Sequence, residues 1–466
     1  MEIRPFYLSC LAHASYLLAD ARTKTGVVVD PQRDVDEYID EARRLGVEIR
    51  HVMLTHFHAD FVAGHLELRD RCGATVHLGA RAKAGYAFSP LVDGARLEWG
   101  SLGLGVLETP GHTPEGVTLL VYDLDADPKK PVAALTGDTL FIGDVGRPDL
   151  MASAGHSADE LAGQLYESLT KKLLALPDET LVYPAHGAGS MCGKALSSER
   201  VSTIGEQRRY NYALKARSRE EFIRLVTADQ AEAPAYFAHD AEMNRRERPT
   251  LDGNLAAALK PLSPADAEAL ARAGAQPLDV RDPSEFAGAH WRGALNVGLD
   301  GKFATWAGSV LDRARPAFVI AEPGRERETV TRLARVGFDR VAGVLDGGMA
   351  ALAARPDLVA ETPRTTARAL SERLGKPDAP VVVDVRTDAE RADGFVPGSL
   401  HLPLAGWPRR LAEVPAGRPV AVYCAGGYRS SVAASLLRAA GRGDVTDVIG
   451  GFAAWREEGL PESRPG

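Results

Sequence analysis

The residue types best suited to bind a metal ion stand close together at residues 55–65. His56, His58 and Asp60 occupy alternate positions at the end of the largely apolar run 47–54, which predicts a buried strand that ends in a loop. In an extended segment, residues i and i+2 point the same way, so the two imidazoles can converge on one point. Imidazole is a common ligand of zinc and iron, and a nearby carboxylate can bind the ion or orient a ring. The spacing therefore predicts a metal site.

Three later residues of the same chemical types support that site. His112 follows Gly111, Asp138 follows Gly137, and His186 precedes a glycine. Each stands where a predicted apolar strand meets a glycine-containing turn. We therefore expect all three side chains to project from a sheet edge into one cleft with the first group.

The order of these motifs resembles the metallo-β-lactamase superfamily. The motifs are His-x-His-x-Asp, Pro-Gly-His-Thr, Gly-Asp-Thr and Pro-Ala-His-Gly, and the resemblance covers residues 1–240. Within the superfamily, the segment 55–65 and the Gly-Arg-Pro-Asp at 146–149 resemble the persulfide dioxygenases. The resemblance implies an α/β fold in which two sheets are sandwiched between helices, an αββα arrangement. It is also compatible with a homo-oligomer.

One departure from the superfamily pattern bears on the metal. The two-metal hydrolases of this superfamily have a histidine directly after the aspartate of the first motif, where this chain has Phe61, and a phenyl ring cannot bind a metal. The second metal position then keeps at most Asp60 and His186. The remaining set, two imidazoles and a carboxylate, suits non-haem Fe(II) with open positions. We therefore expect one Fe(II) per chain, bound by His56, His112 and Asp138.

Other residues near the motifs receive supporting roles. His58, Asp60 and His186 are expected to surround the triad or to remain from a second site, and a ligand role for His58 stays open. An anionic thiol carrier such as glutathione or coenzyme A would favour an arginine at the site. We therefore assign thiol binding to Arg147, Tyr183 and Cys192, the last of which could also accept sulfane sulfur.

An internal repeat follows a polar segment at 241–262, which we interpret as a linker. Leu-Asp-Val-Arg at 278–281 parallels Val-Asp-Val-Arg at 383–386, and two Gly-Gly segments recur at nearly the same offset. Strands alternate with helices in both copies, which predicts two small α/β domains with mainly parallel sheets, at 263–358 and 362–466.

The second copy contains a candidate nucleophile. Cys424 ends an apolar strand and opens a glycine-containing loop that leads into a helix, so backbone N–H groups and the helix dipole favour a thiolate there. The candidate loop for sulfur or anion binding consists of Ala425, Gly426, Gly427, Tyr428 and Arg429. This segment resembles the rhodanese sulfurtransferases. A related phosphatase, which has one more residue between cysteine and arginine, and a plain core thiol are the alternatives. Ala321 replaces the cysteine in the first copy, which resembles a degenerate rhodanese domain.

Composition restricts the remaining possibilities. The chain has 466 residues and a net charge of −8, without a basic stripe, so a nucleic acid partner is not expected. No window is apolar enough for a membrane span, and the N-terminal residues do not resemble a signal peptide, so a cytoplasmic location is expected. The four cysteines show no paired spacing, and Cys10 and Cys72 are predicted to be buried. A helix is predicted at 34–45 with Asp34 as its N-cap.

The resemblances together imply a persulfide dioxygenase with sulfurtransferase activity in sulfide detoxification. It would oxidise a low-molecular-weight persulfide with O2 to sulfite and thiol, and Cys424 would exchange sulfur with sulfite and thiosulfate. Two alternatives stay open at this point. One is a zinc-dependent glutathione thioester hydrolase, similar to glyoxalase II, fused to a sulfur carrier. The other is a non-catalytic persulfide sensor.

Overall fold

The structure is a computed structural model that describes residues 1–150, 155–230 and 232–465. The described chain divides into two compact units. The first consists of Met1–Leu251 with the short segment Ala334–Gly337, and the second consists of Asp252–Leu333 with the chain from Phe338 onward. Among the described residues, no helix combines the length and the apolar character that crossing a bilayer would require.

The first unit consists of two sheets with helices outside them. Its strands are β1 Glu2–Leu8, β2 His13–Asp20, β3 Thr25–Val29, β4 Glu48–Met53, β5 Thr75–Gly79, β6 Ser89–Leu91, β7 Arg96–Trp99, β8 Leu102–Glu108, β9 Val117–Asp123, β10 Ala133–Gly137, β11 Leu181–Pro184 and β12 Ser202–Thr203. Its helices are α1 Asp36–Leu45, α2 His65–Cys72, α3 Ala158–Lys171, α4 Ile204–Tyr210, α5 Arg219–Thr227 and α6 Phe237–Arg245, and α7 Leu251–Ala258 leads into the second unit.

Each sheet of the first unit has six strands. The orders are β1-β2-β3-β4-β5-β6 and β12-β11-β10-β9-β8-β7. Alternate apolar side chains of both sheets form one buried cluster, including Leu18 and Val27 from the first sheet and Leu104 and Leu119 from the second. A second cluster packs α3 and α5 over the outer face of the second sheet, with Leu165 and Phe222 among its members. The αββα sandwich implied by the sequence is confirmed.

The second unit consists of two similar α/β repeats. Its strands are β13 Pro261–Leu262, β14 Gln276–Asp279, β15 His290–Trp291, β16 Leu295–Asn296, β17 Ala317–Ile320, β18 Val341–Leu345, β19 Val359–Ala360, β20 Arg364–Thr365, β21 Val381–Asp384, β22 Leu400–His401, β23 Val420–Tyr423 and β24 Val445–Val448. Its helices are α8 Pro264–Arg272, α9 Pro283–Gly288, α10 Phe303–Val310, α11 Glu326–Arg335, α12 Ala367–Arg373, α13 Asp388–Ala392, α14 Trp407–Arg410, α15 Tyr428–Ala439 and α16 Gly451–Glu457.

The two repeats have the same strand arrangement. The sheet of the first repeat runs β13-β18-β17-β14-β16 and that of the second runs β20-β24-β23-β21-β22, with parallel pairing throughout. Each has its own buried apolar cluster. The predicted pair of small parallel α/β domains is therefore present. The segment 241–262, predicted as a linker, contains the end of α6, all of α7 and β13.

Some local predictions were wrong. Val35, not Asp34, precedes the first helix, and no side chain caps that end. The C-terminal end is the regular one, because Gly46 takes a left-handed conformation and its N–H contacts the last carbonyls. Cys72 is exposed at the end of α2 and Cys10 is partly exposed, so neither is the buried thiol that was predicted.

Candidate metal centre and cysteine loop

The loops that follow strands of the first unit bring His56, His112 and Asp138 together. His56 lies beyond the end of β4, His112 lies between β8 and β9, and Asp138 directly follows β10. Their candidate ligand atoms all lie within 4.8 Å of one another, and all three side chains are buried. Oδ2 of Asp138 is 3.4 Å from Nε2 of His112 and 3.7 Å from Nε2 of His56. The structure thus brings the predicted triad together.

Both imidazoles of this set are oriented by protein oxygens. Nδ1 of His112 lies 2.8 Å from the carbonyl oxygen of Arg147, which can only accept, so Nδ1 bears the proton. The hydroxyl of Thr55 donates to Asp30 at 2.8 Å and lies 2.9 Å from Nδ1 of His56, from which it can accept. Each ring therefore presents the lone pair of Nε2 to Asp138, the arrangement that metal-binding histidines use.

The electrostatics of the pocket favour a cation. Burial lowers the pKa of His112 to about 4 and that of His56 well below its ordinary value, so both rings are neutral and able to bind a metal. Burial, together with nearby Asp60, raises the pKa of Asp138 well above its ordinary value. No N–H or O–H group of the described residues donates to Asp138, and a weak S–H donor, that of Cys192, lies beside it. A bound cation would offset the cost of this buried carboxylate.

A second group of candidate ligands lies beside the first. Asp60, His186 and Cys192 also place their candidate ligand atoms within 4.8 Å of one another, all of them buried. Nε2 of His186 is 3.5 Å from Oδ2 of Asp60 and 3.6 Å from Oδ1 of Asp138. Cys192 therefore adds a third candidate ligand to the two that were expected here. Burial and the carboxylates of Asp60 and Asp138 raise the pKa of its thiol well above the ordinary value.

His58 belongs to a different group from His56. Its Nε2 lies 3.0 Å from Oδ1 of Asp30, although without hydrogen-bond geometry, and its candidate ligand atom groups with those of His13 and His186. His13 was not predicted as a site residue. Both of its ring nitrogens face backbone carbonyls, at 3.1 Å from Ala185 and 2.8 Å from Asp30. Burial lowers the pKa of His13 to about 4, so its neutral ring can donate to only one of these two carbonyls.

Phe61 fills the space beside this histidine group. Its ring is fully buried, with its centroid 4.1 Å from that of His13 and 4.4 Å from that of His58. The phenyl ring thus packs against imidazoles where the superfamily pattern has a further histidine.

The three residues assigned to thiol binding lie in different environments: an ion pair, a cavity wall and the second group of candidate ligands. The guanidinium of Arg147 is buried and donates to both oxygens of Asp149, at 2.7 and 2.6 Å, so its charge already has a partner. Tyr183 lines a cavity of about 110 Å³ together with Tyr7, and His186 also borders this cavity. Cys192, as described above, lies at the second metal position.

The cysteine loop of the second repeat has the predicted form. Cys424 directly follows β23, and the N–H of Gly427 donates to its Sγ at 3.1 Å. Gly427 has a φ of 108°, which a side chain would oppose, and α15 begins at the next residue. Ala425 and Gly426 complete the turn, which contacts the next glycine loop through a bond from the N–H of Phe452 to the Cys424 carbonyl. The sulfur is therefore placed at the start of a helix.

The two side chains at the end of this loop point to different partners. Arg429 donates twice to Glu390, at 2.7 and 2.6 Å. Burial raises the pKa of Glu390, but the pairing with Arg429 and hydrogen bonds from Thr387 lower it to about 2. Tyr428 donates from its hydroxyl to the carbonyl of Gly298 in the first repeat. In the first repeat, Ala321 follows β17 at the position equivalent to Cys424, so no thiolate can form there.

Comparisons with known proteins identify the domains in which these two sites lie. Residues 8–186 match the metallo-beta-lactamase superfamily, and residues 263–355 and 366–458 each match the rhodanese-like domain. The mitochondrial persulfide dioxygenase ETHE1 of Bos taurus is 30% identical over 217 residues, which are 46% of this chain and 75% of the bovine protein. The chain belongs to the persulfide dioxygenase family.

This family member has two rhodanese-like domains after its metallo-β-lactamase domain. A sulfurtransferase of Allochromatium vinosum is 42% identical over 96 residues, which are 21% of this chain and 90% of that protein. The crystal structure of a metallo-beta-lactamase from Staphylococcus aureus is 28% identical and covers 74% of this chain and 98% of its own, with a TM-score of 0.64. The fusion expected from the sequence is confirmed.

Proposed function

We propose that this chain is an iron-dependent persulfide dioxygenase joined to a sulfurtransferase. The net reaction at the first site is R–S–SH + O2 + H2O → R–SH + SO3²⁻ + 2H⁺, where the persulfide is that of a small thiol such as glutathione. The observation that supports it most is the buried set of His56, His112 and Asp138 in a chain of the persulfide dioxygenase family. Sulfide detoxification in the cytoplasm is the setting that we propose for it.

The donor set fits one Fe(II) per chain. Two neutral imidazoles and one carboxylate leave open positions on a ferrous ion, and no thiolate belongs to this set. Bound there, iron would supply the redox chemistry with O2 that the protein itself lacks. The protein contributes orientation, because Thr55 and the carbonyl of Arg147 hold the two imidazoles with Nε2 toward Asp138.

The surroundings of the triad match small reactants. The cavity at the triad measures about 10 Å³ and is bordered by threonines such as Thr55 and Thr109, which leaves room for a molecule about the size of water or O2. We propose that the thiol carrier lies outside this pocket, with Tyr183 among its contacts. Cys192 lies beside Asp138 and could take up sulfane sulfur, whereas Arg147 would have to exchange its contact with Asp149 to bind a carrier carboxylate.

The second site would transfer sulfur between small anions. We propose the step Cys424–S–S⁻ + SO3²⁻ → Cys424–S⁻ + S2O3²⁻, in which the bond between the two sulfurs of the persulfide breaks and a new sulfur–sulfur bond forms to sulfite. The Gly427 N–H stabilises the thiolate that leaves. Since the step is reversible, the same residue could return sulfur from thiosulfate to a thiol.

A zinc-dependent thioester hydrolase is a second candidate, and one observation favours it. Asp60, His186 and Cys192 give the second position three potential ligands, and Cys, His and Asp are the donors that zinc prefers. With Asp138 facing both positions, two zinc ions could bind side by side. Such an enzyme would cleave a glutathione thioester without O2.

Metal analysis and oxygen uptake separate the two candidates. The protein is purified without air, its iron and zinc are quantified, and O2 consumption and sulfite release are followed after addition of glutathione persulfide. The dioxygenase is supported by one iron per chain and equal amounts of O2 consumed and sulfite formed. Two zinc ions per chain, with thioester hydrolysis and no O2 uptake, would establish the hydrolase instead.

A further inference from the structure

We propose that the first, degenerate rhodanese-like repeat positions the Cys424 loop, with Tyr428 as the positioning residue that fastens this loop to the first repeat. The inference rests on the sulfur transfer proposed for Cys424 and gives a role to a repeat that has lost its own thiol. Both repeats lie in the second compact unit of the chain.

The contact begins at the residue that opens α15. The Tyr428 hydroxyl donates to the carbonyl oxygen of Gly298 at 2.6 Å. A Cβ atom placed on Gly301 would lie only 2.5 Å from the Tyr428 ring, so the ring packs against Gly301 in space that any larger residue would fill. Arg332 on α11 donates to the carbonyls of Leu299 and Gly301, which holds this receiving segment in place.

A second contact follows along the same helix. Ser431 donates to Oδ1 of Asn296 at 2.6 Å, and the backbone N–H of Asn296 donates to Oγ of Ser435 at 3.0 Å. Nδ2 of Asn296 donates to the carbonyls of Asp279 and Arg281 in its own repeat. Asn296 is fully buried, and each of its polar groups named here has a partner, so it joins the two repeats in one defined register.

These contacts occupy one face of α15. Tyr428, Ser431 and Ser435 stand at positions i, i+3 and i+7, which fall on the same side of a helix. The helix is therefore held along its first two turns by the first repeat. Gly427, whose N–H donates to Sγ of Cys424, directly precedes this helix, so the position of the helix sets the position of the donor.

The physical consequence concerns the thiolate. A thiolate is stabilised by a nearby N–H and by the positive end of a helix dipole, and both depend on where α15 begins. Releasing Tyr428 would let the first turn move and would weaken both effects. Reactivity of the Cys424 sulfur, and not only stability, should therefore depend on a residue that does not contact the sulfur.

The test uses the full-length protein with the Tyr428→Phe substitution, which removes the hydroxyl and keeps the ring. Two quantities are measured: the kcat for sulfur transfer from thiosulfate, and the pH dependence of Cys424 alkylation by iodoacetamide, followed by mass spectrometry of the Cys424 peptide. We expect kcat to fall about fivefold, the size of one net hydrogen bond, and the alkylation profile to move to higher pH. Gly301→Ala, which crowds the ring, should produce the same changes more strongly.

Tyr86→Phe is the matched control. The Tyr86 hydroxyl also donates to a backbone carbonyl at 2.6 Å, that of Asn244, but in the first unit, so this variant should leave both quantities unchanged. Unchanged kcat and an unchanged alkylation profile in folded Tyr428→Phe protein would overturn the proposal, whatever happens to its melting temperature. If Gly301→Ala does not fold, Tyr428→Phe alone decides. If the wild-type protein transfers no sulfur, the proposed function fails, whereas the alkylation profile still reports on positioning.

Discussion

At the metal centre, each imidazole has one ring nitrogen committed to a protein oxygen. The carbonyl of Arg147 takes the proton of His112, and the Thr55 hydroxyl, which itself donates to Asp30, takes that of His56. Ring orientation is thus determined before any metal binds. The residues that bind the metal and the residues that orient them make separable contributions, and single substitutions distinguish the two.

Asp138→Ala should abolish iron binding at the triad. The substitution removes the only carboxylate of the set and leaves two neutral imidazoles, which hold Fe(II) weakly. Iron content of protein purified without air checks this expectation, with the exposed Asp127→Ala as control. Unchanged iron content in Asp138→Ala would mean that Asp138 is not a ligand.

Thr55→Val should weaken iron binding without removing a ligand. Valine has nearly the shape of threonine but no hydroxyl to accept from His56 and to donate to buried Asp30, whose pKa burial raises to about 6. We expect the dissociation constant for Fe(II) to increase about 10- to 100-fold. Thr55→Ser retains the hydroxyl and should bind iron as the wild type does. Equal affinities for the valine and serine variants would exclude this orienting role.

Glu390→Gln should make the free energy of unfolding of the second unit depend less on pH in the acid range. Burial raises the pKa of Glu390, but Arg429 and Thr387 lower it more, to about 2 from an ordinary value of 4.5. A carboxyl whose pKa is depressed on folding stabilises the fold above its unfolded pKa and loses that contribution as the pH falls toward its folded pKa. Between pH 4.5 and about 2, urea unfolding of the variant should therefore depend less on pH than that of the wild type. The same pH dependence in the variant and the wild type would contradict the ion pair between Glu390 and Arg429.

At the scale of elements, the candidate site residues that follow predicted strands could be found from the sequence. His56, His112 and Asp138 each lie in a segment that follows a strand, so spacing and turns predicted that they could meet, whereas the family resemblance selected them as one ligand set. The same pattern predicted the parallel sheets and the Cys424 turn. His13 has no such signal, because it belongs to no spaced motif and only long-range folding brings it near these residues. Cys192 was predicted near the site, but for thiol binding and not as a candidate metal ligand.

Gly111→Ala should disturb the metal centre through the helix behind it. Gly111 has a φ of 150°, and an added Cβ would lie 2.5 Å from Cα of Leu165 on α3, so the His112 loop would have to move. We expect a destabilisation of about 1–3 kcal/mol and a lower iron content. Gly46→Ala is the matched control, because Gly46 also has a positive φ, of 67°, but open space around it. It should lose only about 1 kcal/mol and bind iron normally.

Equal iron content in the two glycine variants would show that the close approach of α3 to the His112 loop does not determine metal binding. Chemical denaturation measures the stability change, and metal analysis measures the occupancy. The difference between the two variants isolates the steric contact with Leu165 from the backbone strain that both substitutions cause.

At the scale of the whole molecule, one chain joins a metallo-β-lactamase domain to two rhodanese-like domains. The metallo-β-lactamase domain and both rhodanese-like domains were recognisable from the sequence, because their motifs are short and locally spaced. The role of the degenerate repeat was not, since Asn296 and Gly301 matter only through contacts with residues more than 120 positions away.

Cys424→Ala should separate the two activities. The substitution removes the nucleophile of sulfur transfer and leaves the metal centre of the first unit unchanged, so thiosulfate formation should fall below about 1% of the wild-type rate while O2 uptake with glutathione persulfide continues. An oxygen electrode and a thiosulfate assay on the same preparation measure both. Loss of O2 uptake in this variant would contradict two independent sites.

The metal that the triad binds, and whether it reacts with O2, decide between the dioxygenase and the hydrolase. The direct measurement is the metal content of protein purified without air, taken together with O2 uptake on addition of glutathione persulfide. We predict about one iron per chain and one O2 consumed for each sulfite formed. Two zinc ions per chain shared by the triad and the Asp60, His186 and Cys192 position, without O2 uptake, would contradict it.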